Sequence, residues 1–326
     1  MTAHLPTLNL IGAGRVGQTL ARLWTQAGVF AVQEVLTTSM ASAQAACQLI
    51  GAGTPAPNLG AMRSADVWLI AATDAQIATA ATALAAQSSQ ACAGGADGAL
   101  DSGEADTAGG PATKGARQPP TAFHCSGALP ASVLAPLAAL GWQVASAHPI
   151  LSFANAEAAC AQFAGTPCAL EGDAAARAWL QTAFTAIGAQ CFEVRSQDKL
   201  LYHAAAVFAT NFLPVLQSVA EDAWRATGVP EALLPHLRAS LLNNAVANIT
   251  RLGPQGALTG PAARGDTAAI ARQAAAVSAW DEKSGAAYVA LSDLALRLAG
   301  HTPPAMPTAQ SRQAPPSPSA DNAALL

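Results

Sequence analysis

The sequence predicts an α/β domain followed by an all-helical domain. Residues 1–85 alternate short apolar runs with helical patterns, and this βαβα order is typical of a parallel sheet with crossover helices. From residue 197 onward, long helical patterns follow one another without a strand signal. With 326 residues, of which 52% are hydrophobic, the chain is long enough to bury two cores.

Apolar runs and helical periodicity define each element of this plan. In the first domain, strands are predicted at 8–11, 33–36, 67–72, 121–124, 143–146, 167–170 and 190–194, and helices at 15–27, 40–50, 75–86, 132–140 and 174–187. In the second domain, helices are predicted at 197–227, 230–252 and 266–298. Pro214 is expected to kink the first of these helices or to end its first half. We expect the domains to span residues 1–195 and 196–300.

Two segments are poor in large apolar side chains and are predicted to be disordered. Residues 87–119 are rich in Gly, Ala, Ser, Asp and Pro, and the tail at 301–326 is rich in Pro and Ser. Neither segment can bury enough apolar surface to offset the entropy that is lost on ordering. We interpret residues 87–119 as a dispensable surface insertion.

The composition excludes several classes of partner. The 16 basic and 20 acidic residues give a net charge of −4, which offers no basic patch for nucleic acid and no polybasic tether for a membrane. The sequence contains no apolar run of about 18 residues, the length that a membrane-spanning helix needs. Its first residues do not have the pattern of a signal peptide, so we expect a cytoplasmic location. The six scattered cysteines, without a CxxC spacing, predict neither structural disulfides nor a metal site. The 84 alanines indicate either closely packed helices or mutational bias, and composition does not separate the two.

A glycine-rich turn follows the first predicted strand. Gly12, Gly14 and Gly17 form a G-x-G-x-x-G pattern that opens a helix. The first glycine permits the tight bend, the second lets the backbone approach a pyrophosphate, and the third allows close packing of helix on strand. The helix N-terminus offers N–H groups and a positive dipole end to phosphates. We therefore predict dinucleotide binding rather than a turn without a ligand. The predicted contacts are Gly12, Ala13, Gly14, Arg15, Val16 and Gly17.

The end of the second strand bears on the choice between NAD and NADP. NAD enzymes usually carry an acidic residue there, which binds the ribose hydroxyls. In this chain Glu34 lies inside the strand, and Thr37, Thr38 and Ser39 follow it. These hydroxyls, with Arg15, suit a 2′-phosphate, so the sequence favours NADP over NAD. The alternative is an ordinary polar turn.

Thr73 and Asp74 follow the strongest predicted strand. Loops at the carboxyl ends of parallel strands are where open α/β sheets bind ligands, which predicts contact with the cofactor. The same two residues also fit as caps of the next helix. Both roles can hold at once.

Two further strand ends carry candidate substrate ligands. The segment FHCSGAL contains Ser126 and Gly127, whose backbone N–H groups and hydroxyl suit a carboxylate or carbonyl group. His124 and Cys125 are neighbours in a strand and point to opposite faces, so they do not form a nucleophilic dyad. His148 ends the next strand and either lines the same cleft or satisfies a turn. We predict substrate contacts at His124, Ser126, Gly127 and His148.

The first long helix carries Lys199, His203 and Asn211 at multiples of four residues, which places them on one face. Such polar groups are awkward to bury without a ligand. A lysine amine suits proton donation because, unlike arginine, it changes its pKa when it is partly buried. The alternative is a solvated helix start in which Asp198 complements the helix dipole. Arg264, between two later helices, is predicted to clamp an anionic substrate.

These segments resemble those of a known family, the Rossmann-like proteins with a DUF2520 domain that are often described as NADP oxidoreductases. The wider group includes 6-phosphogluconate dehydrogenase-like enzymes, β-hydroxyacid dehydrogenases and ketopantoate reductases. The resemblance implies a Rossmann domain with a mostly parallel, doubly wound sheet, a helical domain of the 6-phosphogluconate dehydrogenase C-terminal type, and a homodimer. The segments that carry it are IGAGRVG, FHCSGAL, AHPILSF, KLLYHAAAVFATNF and ALTGPAARGD.

The resemblance also implies roles for particular residues. Lys199 matches the lysine that begins the interdomain helix of the β-hydroxyacid dehydrogenases. His203 stands where those enzymes carry an asparagine, which is a departure from their pattern. Ser126 and Gly127 match the related substrate loop. Lys199 is therefore the expected proton donor, tuned or relayed by His203.

Motif and resemblance together predict an NADP-dependent oxidoreductase. Its expected reaction is hydride transfer between NADP(H) and a small carbonyl, 2-oxo or hydroxy acid, or imine substrate. The alternative is a catalytically silent NADP-binding sensor or scaffold, because the fold alone does not establish turnover. A deazaflavin is a further candidate cofactor, since some related Rossmann proteins use one.

Overall fold

The computed structural model describes residues 4–94 and 118–302. The chain divides into two compact units, Met1–Asn211 and Phe212–Leu326, which we call the sheet unit and the helical unit. The division follows Asn211, whereas the sequence predicted a boundary after residue 195. The difference arises because the helix that begins at Lys199 is tied to the sheet by its buried Lys199 side chain.

In the part of the chain that the structure describes, eight strands form a single sheet. They are β1 (Thr7–Ile11), β2 (Ala31–Leu36), β3 (Thr54–Pro55), β4 (Val67–Ile70), β5 (Thr121–His124), β6 (Gln143–Pro149), β7 (Pro167–Gly172) and β8 (Gln190–Glu193). Their order is β3-β2-β1-β4-β5-β6-β7-β8. Neighbouring strands are parallel except β6 and β7, which pair antiparallel. The mostly parallel sheet confirms the predicted fold class, and the two-residue strand β3 is the one element of it that the sequence did not indicate.

Within the described residues of the sheet unit, 4–94 and 118–211, there are seven α-helices. They are α1 (Arg15–Ala27), α2 (Met40–Ile50), α3 (Asp74–Gly94), α4 (Ala135–Ala138), α5 (Ala156–Gln162), α6 (Ala174–Ala186) and α7 (Lys199–Ala206). Short 3₁₀ turns span Leu59–Ala61, Ala131–Leu134 and Ser196–Asp198.

Helix α3 is longer than predicted. It continues to Gly94, so residues 87–94, the start of the segment predicted to be disordered, are helical. These eight residues contain no proline and their glycine comes last, so nothing in them stops a helix. The remainder of that prediction, from residue 95 to residue 117, lies outside the described residues, as does the tail beyond residue 302.

Helices cover both faces of the sheet. Leu10 and Leu69 contribute to one apolar cluster, which includes α1, α2 and α6, and their neighbours Ile11 and Ile70 contribute to a second, which includes α3 and α4. The clusters lie on opposite faces because successive side chains of a strand alternate. Trp24 of α1 is fully buried in the first cluster and donates from its indole nitrogen to a carbonyl of α6 at 2.9 Å.

A π-helical turn, Val207–Asn211, separates α7 from α8 (Phe212–Ala226). The sequence predicted a continuous helix over 197–227 with a kink or break at Pro214. Pro214 has no amide hydrogen to donate to the carbonyl of Thr210, and the widened turn lies directly before it. The irregularity is therefore present, but it begins seven residues upstream of the proline.

The remaining helices belong to the helical unit, which also contains a 3₁₀ turn at Glu231–Leu233. Helix α9 (Leu234–Ala257) is kinked near its end, at Gly253 and Pro254, and the φ of Gly253 is 72°. The helix predicted at 266–298 is two helices, because Asp281 accepts a hydrogen bond from the amide of Ser284 and caps the second. These helices are α9 (Leu234–Ala257), α10 (Gly260–Ala263), α11 (Thr267–Trp280) and α12 (Glu282–Leu298).

Among the described residues, the stretch Ser196–Ala226 is long and apolar enough to cross a membrane, judged by length and composition. The sequence analysis expected no membrane-spanning segment because no uninterrupted apolar run is long enough. This stretch has a high mean hydropathy because its polar residues are interspersed among many apolar residues and alanines. The expected cytoplasmic location and the expected absence of membrane and nucleic-acid partners stay predictions.

Candidate active site

The glycine-rich turn joins β1 to α1 and packs against the residue after β4. Gly12 has a φ of +81°, and a Cβ on it would lie 2.7 Å from the carbonyl oxygen of Ala71. A Cβ on Gly17 would lie 2.8 Å from the Cβ of Ala71. Larger residues at either position would force the helix away from the sheet, so both glycines have the packing roles that the motif predicts.

Gly14 leaves the start of α1 accessible. It is the N-cap residue, and a Cβ on it would meet no atom within 4 Å. Because glycine has no side chain, the first N–H groups of the helix receive no side-chain cap, and residues 15–18 include no acidic group. Open space, uncapped N–H groups and a positive dipole end fit a diphosphate.

The end of β2 lies directly beside this turn. The amide of Gly12 donates to the carbonyl of Leu36 at 2.7 Å, so Thr37, Thr38 and Ser39 follow at the same edge of the sheet. Thr38 and Ser39 are exposed. Ser39 also caps α2 by accepting from the helix backbone, so part of this polar segment has a structural use.

Glu34 is committed to a structural ion pair. Its side chain is buried, and its two carboxylate oxygens accept from the backbone amide and the Nε of Arg63, each at 2.6 Å. It therefore lies inside the strand, as predicted, and does not present a carboxylate to a ribose at the strand end.

A cleft of about 490 Å³ opens beside the glycine turn. It combines residues from the loops after β1, β4 and β5, so it brings the predicted cofactor turn together with the predicted substrate loop. Thr73 both lines the cleft and accepts the first backbone bond of α3 from Gln76 at 2.8 Å, so both of its predicted roles are compatible with the geometry. The lining residues are Gly14, Arg15, Val16, Ala71, Ala72, Thr73, Asp74, Cys125, Ser126 and Phe153.

His124 positions the loop after β5 and is not placed to contact a substrate, which corrects the sequence prediction. Its side chain is fully buried. Its Nδ1 accepts from the amide of Ser126 at 3.1 Å, so Nε2 carries the hydrogen and donates to the carbonyl of Pro130 at 3.2 Å. Both ring nitrogens are thus occupied by backbone. Burial, followed by the charge of Lys199, lowers the pKa of His124 to about 4, so the ring is neutral at pH 7.

Lys199 lies beneath the same loop. Its side chain is 1% exposed, and its Nζ donates to the carbonyl of Ser126 at 2.9 Å and to the hydroxyl of Ser146. Burial lowers the pKa of Lys199, because the charged ammonium has lost its water. The hydroxyl of Ser126 holds the turn by accepting from the amides of Ala128 and Leu129.

A row of buried polar residues crosses the sheet at this point. His124, Ser146 and Glu171 lie opposite one another on β5, β6 and β7. All three are buried, and the hydroxyl of Ser146 accepts from Lys199. Sequence reasoning missed Ser146 and Glu171, although a polar residue inside an otherwise apolar strand was a signal that could have found them.

The carboxylate of Glu171 is fully engaged. It accepts from the amide of Ala131 at 2.7 Å and from the hydroxyl of Ser196 at 2.6 Å. Its negative charge acts against burial and raises the pKa of Lys199, which limits the loss of the ammonium charge. Glu171 therefore fixes the turn before α7 and supplies the buried cation with a counter-charge.

Gly127 packs against two histidine rings. A Cβ on it would lie 2.5 Å from Nδ1 of His203 and 2.8 Å from Cε1 of His148. Nδ1 of His148 is 2.7 Å from the hydroxyl of Tyr202, a residue that the sequence prediction did not select. Nδ1 of His203 is buried and has no hydrogen-bond partner among the described residues. Burial lowers the pKa of His148 to about 4.

The other predicted residues have different outcomes. The pKa of Cys125 is raised by burial to about 12, so its thiol stays protonated, in agreement with the rejection of a covalent mechanism. Asn211, which the spacing placed on the same helix face as Lys199, is exposed and accepts from the hydroxyl of Thr210, and a substrate contact at this residue stays a prediction. Arg264 is exposed at the end of α10 in the helical unit, and its substrate role stays a prediction.

Two family models match parts of the chain. Residues 7–92 match the family model described as NADP oxidoreductase coenzyme F420-dependent, and residues 166–295 match the model of DUF2520, a domain of unknown function. The first match contains the glycine turn and the second begins near the start of β7. Both matches agree with the predicted resemblance to Rossmann-like proteins with a DUF2520 domain, and each covers less than half of the chain. No curated protein matches its sequence.

Solved structures show the same fold at low identity. A protein from Thermotoga maritima is 22% identical with a TM-score of 0.65, and one from Bacteroides fragilis described as an NADP oxidoreductase is 20% identical with a TM-score of 0.60; each comparison covers 90% of this chain and 98% of the other. A 1-pyrroline-5-carboxylate reductase from Streptococcus pyogenes is 13% identical with a TM-score of 0.53, over 90% of this chain and 99% of the other.

Two neutral histidines, the buried His124 and the half-buried His148, predict acid sensitivity. The folded-state pKa of His124 and of His148 is about 4, below the ordinary value of 6.5. As pH falls from 6.5 to 4, these histidines become protonated in the unfolded chain but stay neutral in the folded protein. The free energy of unfolding therefore decreases over this range, and the stability present above pH 6.5 is lost. We expect His124→Gln to reduce the pH slope of the unfolding free energy by up to about 1.4 kcal/mol per pH unit in this window.

Urea unfolding followed by circular dichroism at pH 7, 6 and 5 measures that slope. His236→Gln, at an exposed position of the helical unit, is the matched control and should leave it unchanged. An equal slope in wild type and His124→Gln would show that His124 does not titrate in this way.

Proposed function

We propose that this protein is an NADP-dependent reductase of a small carbonyl, 2-oxo acid or imine substrate. One observation carries the proposal: the accessible N-terminus of α1 at Gly14 and the loop at Ser126 line the same cleft. The carbonyl of Ser126 in turn accepts from the buried ammonium of Lys199. The helix end that suits a phosphate and the loop that the Lys199 ammonium supports thus line one cavity. The match of residues 7–92 to the family model described as NADP oxidoreductase coenzyme F420-dependent supports the same reaction class.

The cofactor would be held by backbone and hydroxyl groups. The glycine turn and the first N–H groups of α1 would bind the diphosphate, as in other dinucleotide-binding folds. Thr37, Thr38 and Ser39, with the exposed guanidinium of Arg15, would take a 2′-phosphate. Asp74 and Thr73 would contact the cofactor from the loop after β4. When bound, the reduced cofactor supplies the hydride that the substrate carbon receives.

The remaining proton would come from the protein. Reduction of a carbonyl or imine carbon leaves an oxygen or nitrogen that must gain one proton. We assign this proton to Lys199, whose pKa burial lowers, so that its ammonium releases a proton more readily than an exposed one. His203 would relay it or orient the substrate, because its Nδ1 beside Gly127 is buried without a partner among the described residues.

Substrate contacts would come from the loop and strand end around Lys199. The N–H of Gly127 would bind a carboxylate or carbonyl group beside Ser126, whose own N–H and carbonyl are occupied by His124 and Lys199. His148, held by Tyr202, would form the wall of the site. Arg264 of the helical unit remains the proposed clamp for an anionic group. The catalytically silent alternative requires the same cofactor site without turnover.

Replacement of Lys199 tests the proton source. We expect Lys199→Met to lower kcat about 100-fold or more, in line with the loss of a general acid, with little change in the Kd for NADPH. Lys199→Arg should also be impaired, because a guanidinium does not give up its proton. The assay follows NADPH oxidation over a panel of 2-oxo acids, semialdehydes and cyclic imines.

Lys283→Met, at an exposed position of α12, is the matched control and should keep wild-type turnover. Unchanged kcat in Lys199→Met would remove the lysine from the mechanism. NADPH binding by a wild-type protein that oxidises none with the whole panel would favour the sensor or scaffold alternative.

Replacement of Arg15 tests the choice of cofactor. Arg15→Ala should raise the Kd for NADPH about tenfold, equivalent to about 1.4 kcal/mol, and leave the weaker binding of NADH unchanged, because NADH lacks the 2′-phosphate. Calorimetric titration with NADPH, NADH and a reduced deazaflavin of the F420 type measures all three affinities.

Arg22→Ala, on the same helix and paired with Glu157 at 3.9 Å, is the control for a general loss of positive charge. NADH bound as tightly as NADPH by the wild type would overturn the preference for NADP. If only the deazaflavin binds tightly, the site would be assigned to that cofactor and not to NADP. The description of the matching family model also names coenzyme F420.

We also propose that the helical unit forms a homodimer. The described helices of this unit expose many large apolar side chains, and an exposed apolar surface of this extent is typical of a protein interface. Sedimentation equilibrium should give twice the chain mass of 32.6 kDa, and Leu241→Glu with Ile249→Glu on α9 should give single chains. A wild type that sediments as a single chain at 10 µM would contradict the dimer. The exposed residues are Leu213, Val215, Leu216, Leu233, Leu241, Val246, Ile249, Leu252, Trp280, Leu291, Leu294 and Leu298.

A further inference from the structure

Two cysteines face each other across the last two strands of the sheet. Cys168 of β7 and Cys191 of β8 are register partners in a parallel pair. Partners in register on neighbouring strands have Cα atoms about 4.8 Å apart and side chains on the same face. A disulfide spans Cα separations of about 4.4–6.8 Å, so the backbone already has the spacing that a bond between these two sulfurs needs.

The two sulfurs differ in access to solvent. Cys168 is fully buried, whereas Cys191 is half-buried on β8, the strand at the edge of the sheet. A small reagent can therefore reach Cys191 first and must pass it to reach its partner. This arrangement is that of an attacking thiol with a protected resolving thiol behind it.

The thiols also interact directly. The neighbouring thiol of Cys168 lowers the pKa of Cys191 to about 7, and the pKa of Cys168 is raised, while the Sγ of Cys191 donates to the carbonyl of Gln181 at 4.0 Å. A sulfur that accepts an S–H bond is stabilised as the thiolate, which is the reactive form. The partly exposed Cys47 and Cys160 differ, because burial raises the pKa of each.

We propose that Cys191 and Cys168 form a redox-active thiol pair that closes into a disulfide on reaction with a low-molecular-weight disulfide such as oxidised glutathione. The Cys191 thiolate attacks one sulfur of the glutathione disulfide and displaces the first glutathione as its thiolate. The Cys168 thiol then loses its proton, attacks the Cys191 sulfur of the mixed disulfide and displaces the second glutathione. The protein gives up two electrons and two protons, and two reduced glutathiones form.

The bond would act on a strand that leads directly to the candidate active site. Val194 follows β8 and donates to the carbonyl of Leu170 at 3.0 Å, and the chain then enters the Ser196–Asp198 turn that precedes Lys199. A disulfide between β7 and β8 would therefore fix the edge strand from which α7 begins. The thiol chemistry itself does not depend on the proposed reductase activity.

The test is thiol mapping on the reduced full-length chain. The protein is equilibrated at pH 7 with mixtures of reduced and oxidised glutathione, quenched with acid, alkylated and digested with trypsin. Arg177 lies between the two cysteines, so a disulfide joins two separate tryptic peptides in the mass spectrum. We expect the linked peptides to accumulate as the share of oxidised glutathione rises and to disappear on return to reduced glutathione.

Variants separate the two steps. Cys191→Ser should abolish the link, Cys168→Ser should leave a stable glutathione adduct on Cys191, and Cys160→Ser should behave as wild type. A wild-type protein that keeps Cys168 alkylated while Cys191 carries glutathione would overturn the proposal, since the resolving step would then be missing. Modification of Cys47 or Cys160 ahead of Cys191 would overturn it as well.

Discussion

The burial of one ammonium group constrains the whole carboxyl-terminal edge of the sheet. Lys199 is 1% exposed, and a cation removed from water to that degree must be hydrogen-bonded and offset by negative charge. The carbonyl of Ser126 and the hydroxyl of Ser146 supply the bonds, and Glu171 supplies the charge. Strands β5, β6 and β7 and helix α7 are thereby joined at a single point, which is where the candidate substrate loop lies.

Close approach is the second constraint, and glycine satisfies it at both ends of the cleft. At the cofactor turn, Gly12 and Gly17 leave no room for a Cβ against Ala71. At the substrate loop, Gly127 lies against the rings of His148 and His203 with the same lack of space. The backbone itself forms the surface there, and the first N–H groups of α1 have no side-chain cap that would compete with phosphate oxygens.

Local patterns in the sequence were sufficient for most of the fold. Apolar runs identified the longer strands, because strands buried on both faces need uninterrupted apolar residues. Apolar periodicity predicted α1, and an alanine-rich composition predicted α2. The π-helical turn before Pro214 and the extension of α3 were missed. The first depends on how the helix backbone widens to accommodate a proline, and the second on where a helix stops when no residue terminates it. Neither is visible in the amino-acid composition.

The sequence by itself predicted most of the strands and helices in their order, a glycine turn suited to a dinucleotide, and the unusual presence of a lysine and a histidine at the start of an apolar helix. These follow from residues that are neighbours in the chain. The tertiary structure decided that His124 holds a loop and that Ser146 and Glu171 support Lys199. Each of these depends on strand register and on contacts between distant residues, such as the 73 positions that separate Ser126 from Lys199, and no local pattern encodes them.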